Sequence, residues 1–204
     1  MNIKTGKNLF VEFGDHNLIL GVGEYDDELN FKVLEKDILE TLGYKDGKIV
    51  DLETSSKDLK KALENIEKKI SFIFKEANII SNFSDLESVN LCGFKKLNGN
   101  QVLSEDISFI LNDLRKNIIE NENDKFILHL FNTKYELDQK VIKNLPIGLY
   151  GQFYSHQLTF FLTNKNNVKN IESLLNRCNL RLNRIVVKSF AEGIRVINKN
   201  KNDT

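Results

Sequence analysis

Apolar and polar positions alternate, or apolar ones run together briefly, over residues 9–13 and 18–22, on either side of the polar turn Gly14-Asp15-His16-Asn17. Residues 31–34 offer a third strand beyond the polar break Asp26-Asp27-Glu28, so the pattern predicts an opening antiparallel meander. Over residues 55–78 the period changes. Leu59, Leu63, Ile66, Ile70, Ile73 and Ala77 recur every three or four positions between Lys and Glu, which predicts an amphipathic helix with one buried seam. Ser55 followed by Asp58 reads as its capping box.

Residues 87–92 predict another strand, closed by Gly93. Past the Asn98-Gly99 turn, Ser104-Glu105-Asp106 opens a second helix with Ile107, Ile110, Leu111, Leu114 and Ile118 inward. Strands over 125–131 and 134–138 follow, then a loop holding the only proline, Pro146, and a strand over 157–163. The chain continues as a helix over 166–178 and a strand around Val186. The continuous apolar runs of these last two strands predict a parallel pair joined by a right-handed crossover. One more element begins over 190–197.

The 29 Lys and Arg balance 29 Asp and Glu, so the 204-residue chain has no net field to gather nucleic acid or anionic lipid, and nucleic acid is not an expected partner. No apolar run approaches the ~18 residues a membrane-spanning helix needs. Cys92 and Cys178 lack any Cys-x-x-Cys spacing and are expected to be reduced, buried side chains. His16, His129 and His156 share no metal-ligand spacing, and His129 alternates within an apolar strand as a sheet residue. Neither a metal nor a catalytic residue is expected. Tyr135, Tyr150, Phe153 and Tyr154 concentrate aromatics around predicted turns, the composition of a partner-contact patch; the alternative is that they seal a small sheet against the helix at 104–119.

Three stretches resemble the bacterial cell-division protein FtsA family. VEFGDHNLILGVGEY resembles its first phosphate hairpin, and GYKDGKIVDLETSSKDLKKALENIEK resembles its G-x-x-x-G-x-I-V-D-x-E segment leading into a long helix. The stretch over 145–193 resembles its P-x-G-L-x-G motif, followed by a helix, an R-C-G-L turn and a strand. The resemblance implies an α/β fold with an α+β insertion. Residues 1–86 and 165–204 would form subdomain 1A of an actin-like, ribonuclease H-like fold, interrupted over 87–164 by a strand-helix-strand-strand SHS2 module, subdomain 1C. Between Gly93 and Ser104 the chain is shorter than the family pattern, so the first strand of the module is expected to be abbreviated. The chain is expected to end before the second actin-like lobe.

The function implied is that of a non-catalytic division adaptor, linking the FtsZ ring to the cytoplasmic membrane and recruiting division proteins. The implied contacts are self-association with FtsA-like subunits and downstream division proteins through 1C, with FtsZ and membrane reached only through parts absent here. The implied location is cytoplasmic, peripheral at the membrane and the division septum. The alternatives are a PilM-like pilus-assembly adaptor, which shares the insertion, and an actin-fold ATPase or kinase half.

In the family the first hairpin wraps the nucleotide phosphates with backbone N–H groups, a small hydroxyl residue and often a Lys. Here Gly14 keeps the close backbone approach, and Glu12 matches an acidic position that can hold a Mg²⁺-bound water. Asp15 stands for the hydroxyl, His16 adds bulk and Asn17 stands for the Lys. A carboxylate ~4 Å from a phosphate costs on the order of 4 kcal/mol at an effective dielectric near 20, a roughly thousandfold loss of affinity. The hairpin is therefore expected to be degenerate. No cofactor is expected in this chain, and Mg-ATP only with the missing lobe.

Overall fold

The structure, a computed structural model, describes residues 6–14, 16–26, 28 and 30–202. The chain divides into two compact units, residues 1–84 with 166–204, and residues 85–165.

The first unit opens with the meander β1 (Asn8–Phe13), β2 (Asn17–Tyr25) and β3 (Phe31–Glu40). The third strand runs six residues beyond the 31–34 expected, because its ladder with β2 continues from Tyr25↔Phe31 to Asn17↔Glu40 across one register shift. A small hairpin, β4 (Tyr44–Lys45) and β5 (Lys48–Ile49), turns through Asp46-Gly47, both at positive φ (49° and 73°) as a tight two-residue turn requires. The helix α1 (Leu52–Ile70) follows.

Helix α1 is shorter at its end than its apolar period suggests and starts earlier. Its N-cap is Asp51, not Ser55: Oδ1 accepts from the N–H groups of Glu53 (2.9 Å) and Thr54 (3.1 Å), and Oδ2 from the Thr54 hydroxyl (2.6 Å). These bonds, those from Thr54 above all, hold the Asp51 carboxyl below its ordinary value. Ser71, at φ 52°, ends the helix. Residues assigned to its tail instead make β6 (Glu76–Ser81), with Ala77, Ile79 and Ser81 fully buried.

Residues 85–165 follow as an insertion: β7 (Glu87–Lys96), α2 (Ser104–Asn121), β8 (Lys125–Leu137), β9 (Lys140–Ile142) and β10 (Phe153–Asn164). The chain then makes α3 (Lys165–Arg177), β11 (Arg181–Val187) and α4 (Lys188–Asn202).

The five-stranded sheet runs β11-β6-β1-β2-β3, antiparallel within the meander and parallel at β1·β6 and β6·β11. One face carries Leu9, Val11, Phe13, Leu18, Leu20, Val22, Ala77 and Ile79, all buried. Helix α1 packs on β2 and β3, burying Leu59, Ala62, Leu63 and Ile66. Helix α3 buries Val168, Ile171, Leu174 and Leu175, and the Cys178 thiol beyond it donates to the Ser56 carbonyl of α1 at 3.7 Å. Each such Leu or Ile contributes ~1.5–3 kcal/mol of burial.

The parallel pair expected between 157–163 and the strand at Val186 is corrected here. Strand β11 pairs with β6, whereas β10 lies in the other sheet between β7 and β8. The two strands share continuous apolar runs because each is covered on at least one face, a pattern that does not name the neighbour.

The second sheet, β7-β10-β8-β9, is antiparallel throughout. Tyr154, Leu158, Phe160 and Leu162 of β10 meet Ile107, Ile110, Leu114 and Ile118 of α2 in one core. Gly93 does not close β7, nor is the strand abbreviated. The absent side chain admits α2, since a Cβ there would stand 2.6 Å from Ile110 Cγ2. Asn132 and Thr133 are not a break between strands but part of one long β8, absorbed by a register shift against β10. The true turn is Asp138-Gln139, both at positive φ, leading into β9. Where the chain enters and leaves this unit, Asp85 accepts from the Thr163 hydroxyl (2.8 Å) and the Asn164 N–H (3.1 Å).

Candidate functional site

Ligands of open α/β sheets gather outside the carboxyl ends of parallel strands. In the first unit those ends are aligned: Phe13 of β1 and Val187 of β11 both pair with Ser81 of β6. Beyond them lie the β1–β2 turn and the first residue of α4, Lys188.

Glu12 stands one residue before the end of β1, and its Oε1 forms a 2.7 Å ion pair with Lys188 Nζ. It also lines a groove of about 330 Å³ on the sheet face opposite α1, beside Phe10, Ile19, Gly21, Val33 and Lys36. Ser81, on the buried face, shares a 2.6 Å hydrogen bond with the Tyr44 hydroxyl, and the Tyr44 ring stacks on Phe13 at 4.8 Å.

One backbone hydrogen bond closes the turn between Gly14 and Asn17. The Gly14 N–H donates to the Asn17 carbonyl at 2.9 Å. Asn17 Oδ1 fills the space a Cβ at position 14 would take. The exposed His16 accepts the Thr41 N–H on its carbonyl (3.1 Å) and borders, with Asn17, Glu40, Thr41, Thr54 and Asp58, a polar depression of about 720 Å³. Asp15 lies outside the described residues.

Over Gly14 the hairpin thus presents a carbonyl acceptor, its amide N–H is already bonded, and the nearby cation Lys188 is held by Glu12. An anion site needs convergent donors instead. The sequence pointed to Glu12, Gly14, His16 and Asn17 and missed Lys188. The one available signal was a Lys directly after the apolar run Ile185-Val186-Val187.

In the second unit the four aromatics separate. Tyr154 has no exposed surface and belongs to the core, so it supplies no contact patch; Tyr135 is half-buried against that core. Tyr150 and Phe153 are exposed, at 73% and 55%. Tyr150 borders a polar depression with Lys95, Lys96 and Asp106.

His156 is buried among these rings, 4.8 Å from Tyr135, its Nε2 at 2.8 Å from Asn132 Oδ1. Its Nδ1 and the Tyr154 hydroxyl have no hydrogen-bond partner. Burial lowers the His156 pKa and pushes Tyr154 up to about 12. Burial likewise raises the Cys178 thiol to about 11, the environment of an inert core cysteine. Cys92, in contrast to the buried position expected, is exposed on β7. Among the described residues no group of three or more His, Cys, Asp or Glu could hold a metal ion, and no helix is long and apolar enough to cross a membrane.

No family model matches the chain. It is similar to FtsA. The cell division protein FtsA of Helicobacter pylori strain J99 is 26% identical over 96% of this chain and 41% of its own length. FtsA of Buchnera aphidicola is 24% identical over 98% of this chain and 48% of its own length. FtsA of Pseudomonas aeruginosa is 20% identical over 99% and 48%. The chain therefore spans a little under half the length of these relatives. A solved PilM-PilN type IV pilus biogenesis complex matches 92% of this chain and 49% of that chain with a TM-score of 0.61 at 11% identity. The fold is that of an actin-like subdomain.

Proposed function

We propose that the chain is the 1A and 1C portion of an FtsA-type division adaptor, working by protein contact rather than catalysis. The observation that carries this reading is the likeness to FtsA of three bacteria across nearly the whole chain, insertion included. On this reading residues 1–86 and 165–204 are subdomain 1A and 87–164 the SHS2 module. The module meets division proteins and neighbouring FtsA-like subunits, and FtsZ and the membrane are reached through further parts of such an adaptor. An acceptor over Gly14 and a cation engaged by Glu12 speak against nucleotide chemistry by these residues alone. Mg-ATP would need the opposing lobe.

A fluorescent fusion at the native locus tests the reading. Bands at midcell, and filamentous cells on depletion, are the expected outcome. Normal division with lost pili would instead favour a PilM-like adaptor, the second reading, which the structural match to the PilM-PilN complex supports. An ATPase or kinase half predicts Mg-ATP binding that Gly14→Val abolishes. Calorimetric titration of the full gene product with unchanged affinity in that variant would dismiss the hairpin as a phosphate site.

A further inference from the structure

The sheets have open edges at β3, β11, β7 and β9, and along the part of β8 that β9 does not cover. Open edges are templates for strand addition unless charges, bulges or brevity block them. Strand β3 carries Lys32, Glu35, Lys36, Asp37 and Glu40 along its length; β11 carries Arg181 and Arg184 and a register shift; β9 has three residues. The free part of β8 is broken by two register shifts against β10.

Strand β7 has none of these defences. It pairs with β10 without a shift over ten positions, and its charges lie only at the ends, Glu87 on one side and Lys95 and Lys96 on the other, with seven uncharged residues between.

We propose that this edge pairs with the same edge of a second copy, joining two four-stranded sheets across a two-fold axis. Two identical antiparallel strands are related by an axis normal to the sheet, so facing residues lie on the same side of it, and their numbers share parity. Two registers then centre the strand. One sets Cys92 against Cys92 and Lys95 against Val89, with no charge matched. The other sets Leu91 against Leu91 and Glu87 against Lys95, the charge pair occurring twice. The second is the register chosen, because opposite charges face each other at both ends. Leu91 also packs against the core of its unit, so the dyad joins two apolar cores. The pairing requires nothing of a division role.

Light scattering after gel filtration, over a concentration series of the full chain, should show a dimer. Glu87→Lys should weaken it about tenfold or more by setting like charges opposite each other twice. Glu87→Lys with Lys95→Glu should restore it. Within one copy Glu87 binds Lys125 (2.6 Å) and Lys95 binds Asp106 (3.4 Å), so the double change repairs neither internal pair. Recovery therefore reports the contact between copies. In the wild-type protein, a short bismaleimide should link two chains through Cys92, which lie diagonally at ~7–8 Å in this register. A monomer at every concentration, a dimer indifferent to Glu87→Lys, a failed rescue in a folded double variant, or no Cys92 cross-link would each overturn the proposal. A direct Cys92–Cys92 disulfide would overturn the register.

Discussion

Acidification should weaken the fold through His156. The ring is 1% exposed and packs beside Tyr135 and Tyr154, and with its Nε2–H donated to Asn132 Oδ1 the incoming proton must settle on Nδ1, which has no acceptor. Burial lowers the folded-state pKa beneath the ordinary 6.5, so between the two values the unfolded chain binds a proton the folded chain refuses. Stability is complete above the unfolded value and falls as pH drops below it. One pH unit below, the loss at this site is at most ~1.4 kcal/mol, or no more than ~0.5–1 M in urea midpoint at an ordinary slope. Partly buried His129 shifts in the same direction for the same cause and adds to the loss. Urea titrations at about pH 7.5 and 5.5 should show the drop, before the bulk of the carboxylates titrate. His156→Gln should remove its share of the difference between the two pH values, whatever its own cost at either. Equal stability at both pH values, or a full loss retained in the Gln variant, would refute the reasoning.

Tyr154→Phe deletes a buried hydroxyl without a partner and should raise the stability measured in urea by ~1 kcal/mol; a destabilised variant would show that the hydroxyl is satisfied. Gly93→Ala drives a methyl into Ile110 and should cost ~1–3 kcal/mol, part of which Ile110→Val should return in a double-variant denaturation cycle. Ile79→Ala, in the buried centre of β6, should cost ~2–5 kcal/mol in the same assay.

The meander and the α2 and α3 seams were legible because each is a local pattern of period two or 3.6. What failed was non-local. Glu76–Ser81 fell in register with the seam of α1, since Ile73 and Ala77 continue its spacing, although the helix ends at the left-handed Ser71 and the strand begins at Glu76. Partners of strands were equally hidden: the apolar runs of β10 and β11 marked both as strands without assigning them to separate sheets. The β4–β5 hairpin, by contrast, carried its Asp46-Gly47 signal openly and was passed over within the longer motif. At the candidate site, the altered chemistry of the hairpin was visible in its residues. Its ion pair with Lys188 was not, because 176 positions of chain separate the two charges.

The hydrogen bonds from Thr163 and Asn164 to Asp85 have a consequence for modularity. By drawing together the two points where residues 85–165 join the rest of the chain, they make the insertion a plug with its own fastened neck. To the polypeptide between β6 and α3 it stands in for a tight turn, and closure entropy in any case grows only logarithmically with the length of the loop. Such a cassette can be exchanged, enlarged or re-sequenced with little thermodynamic penalty to its host, which gives a gene a route to new binding partners while the actin-like sheet stays as it is.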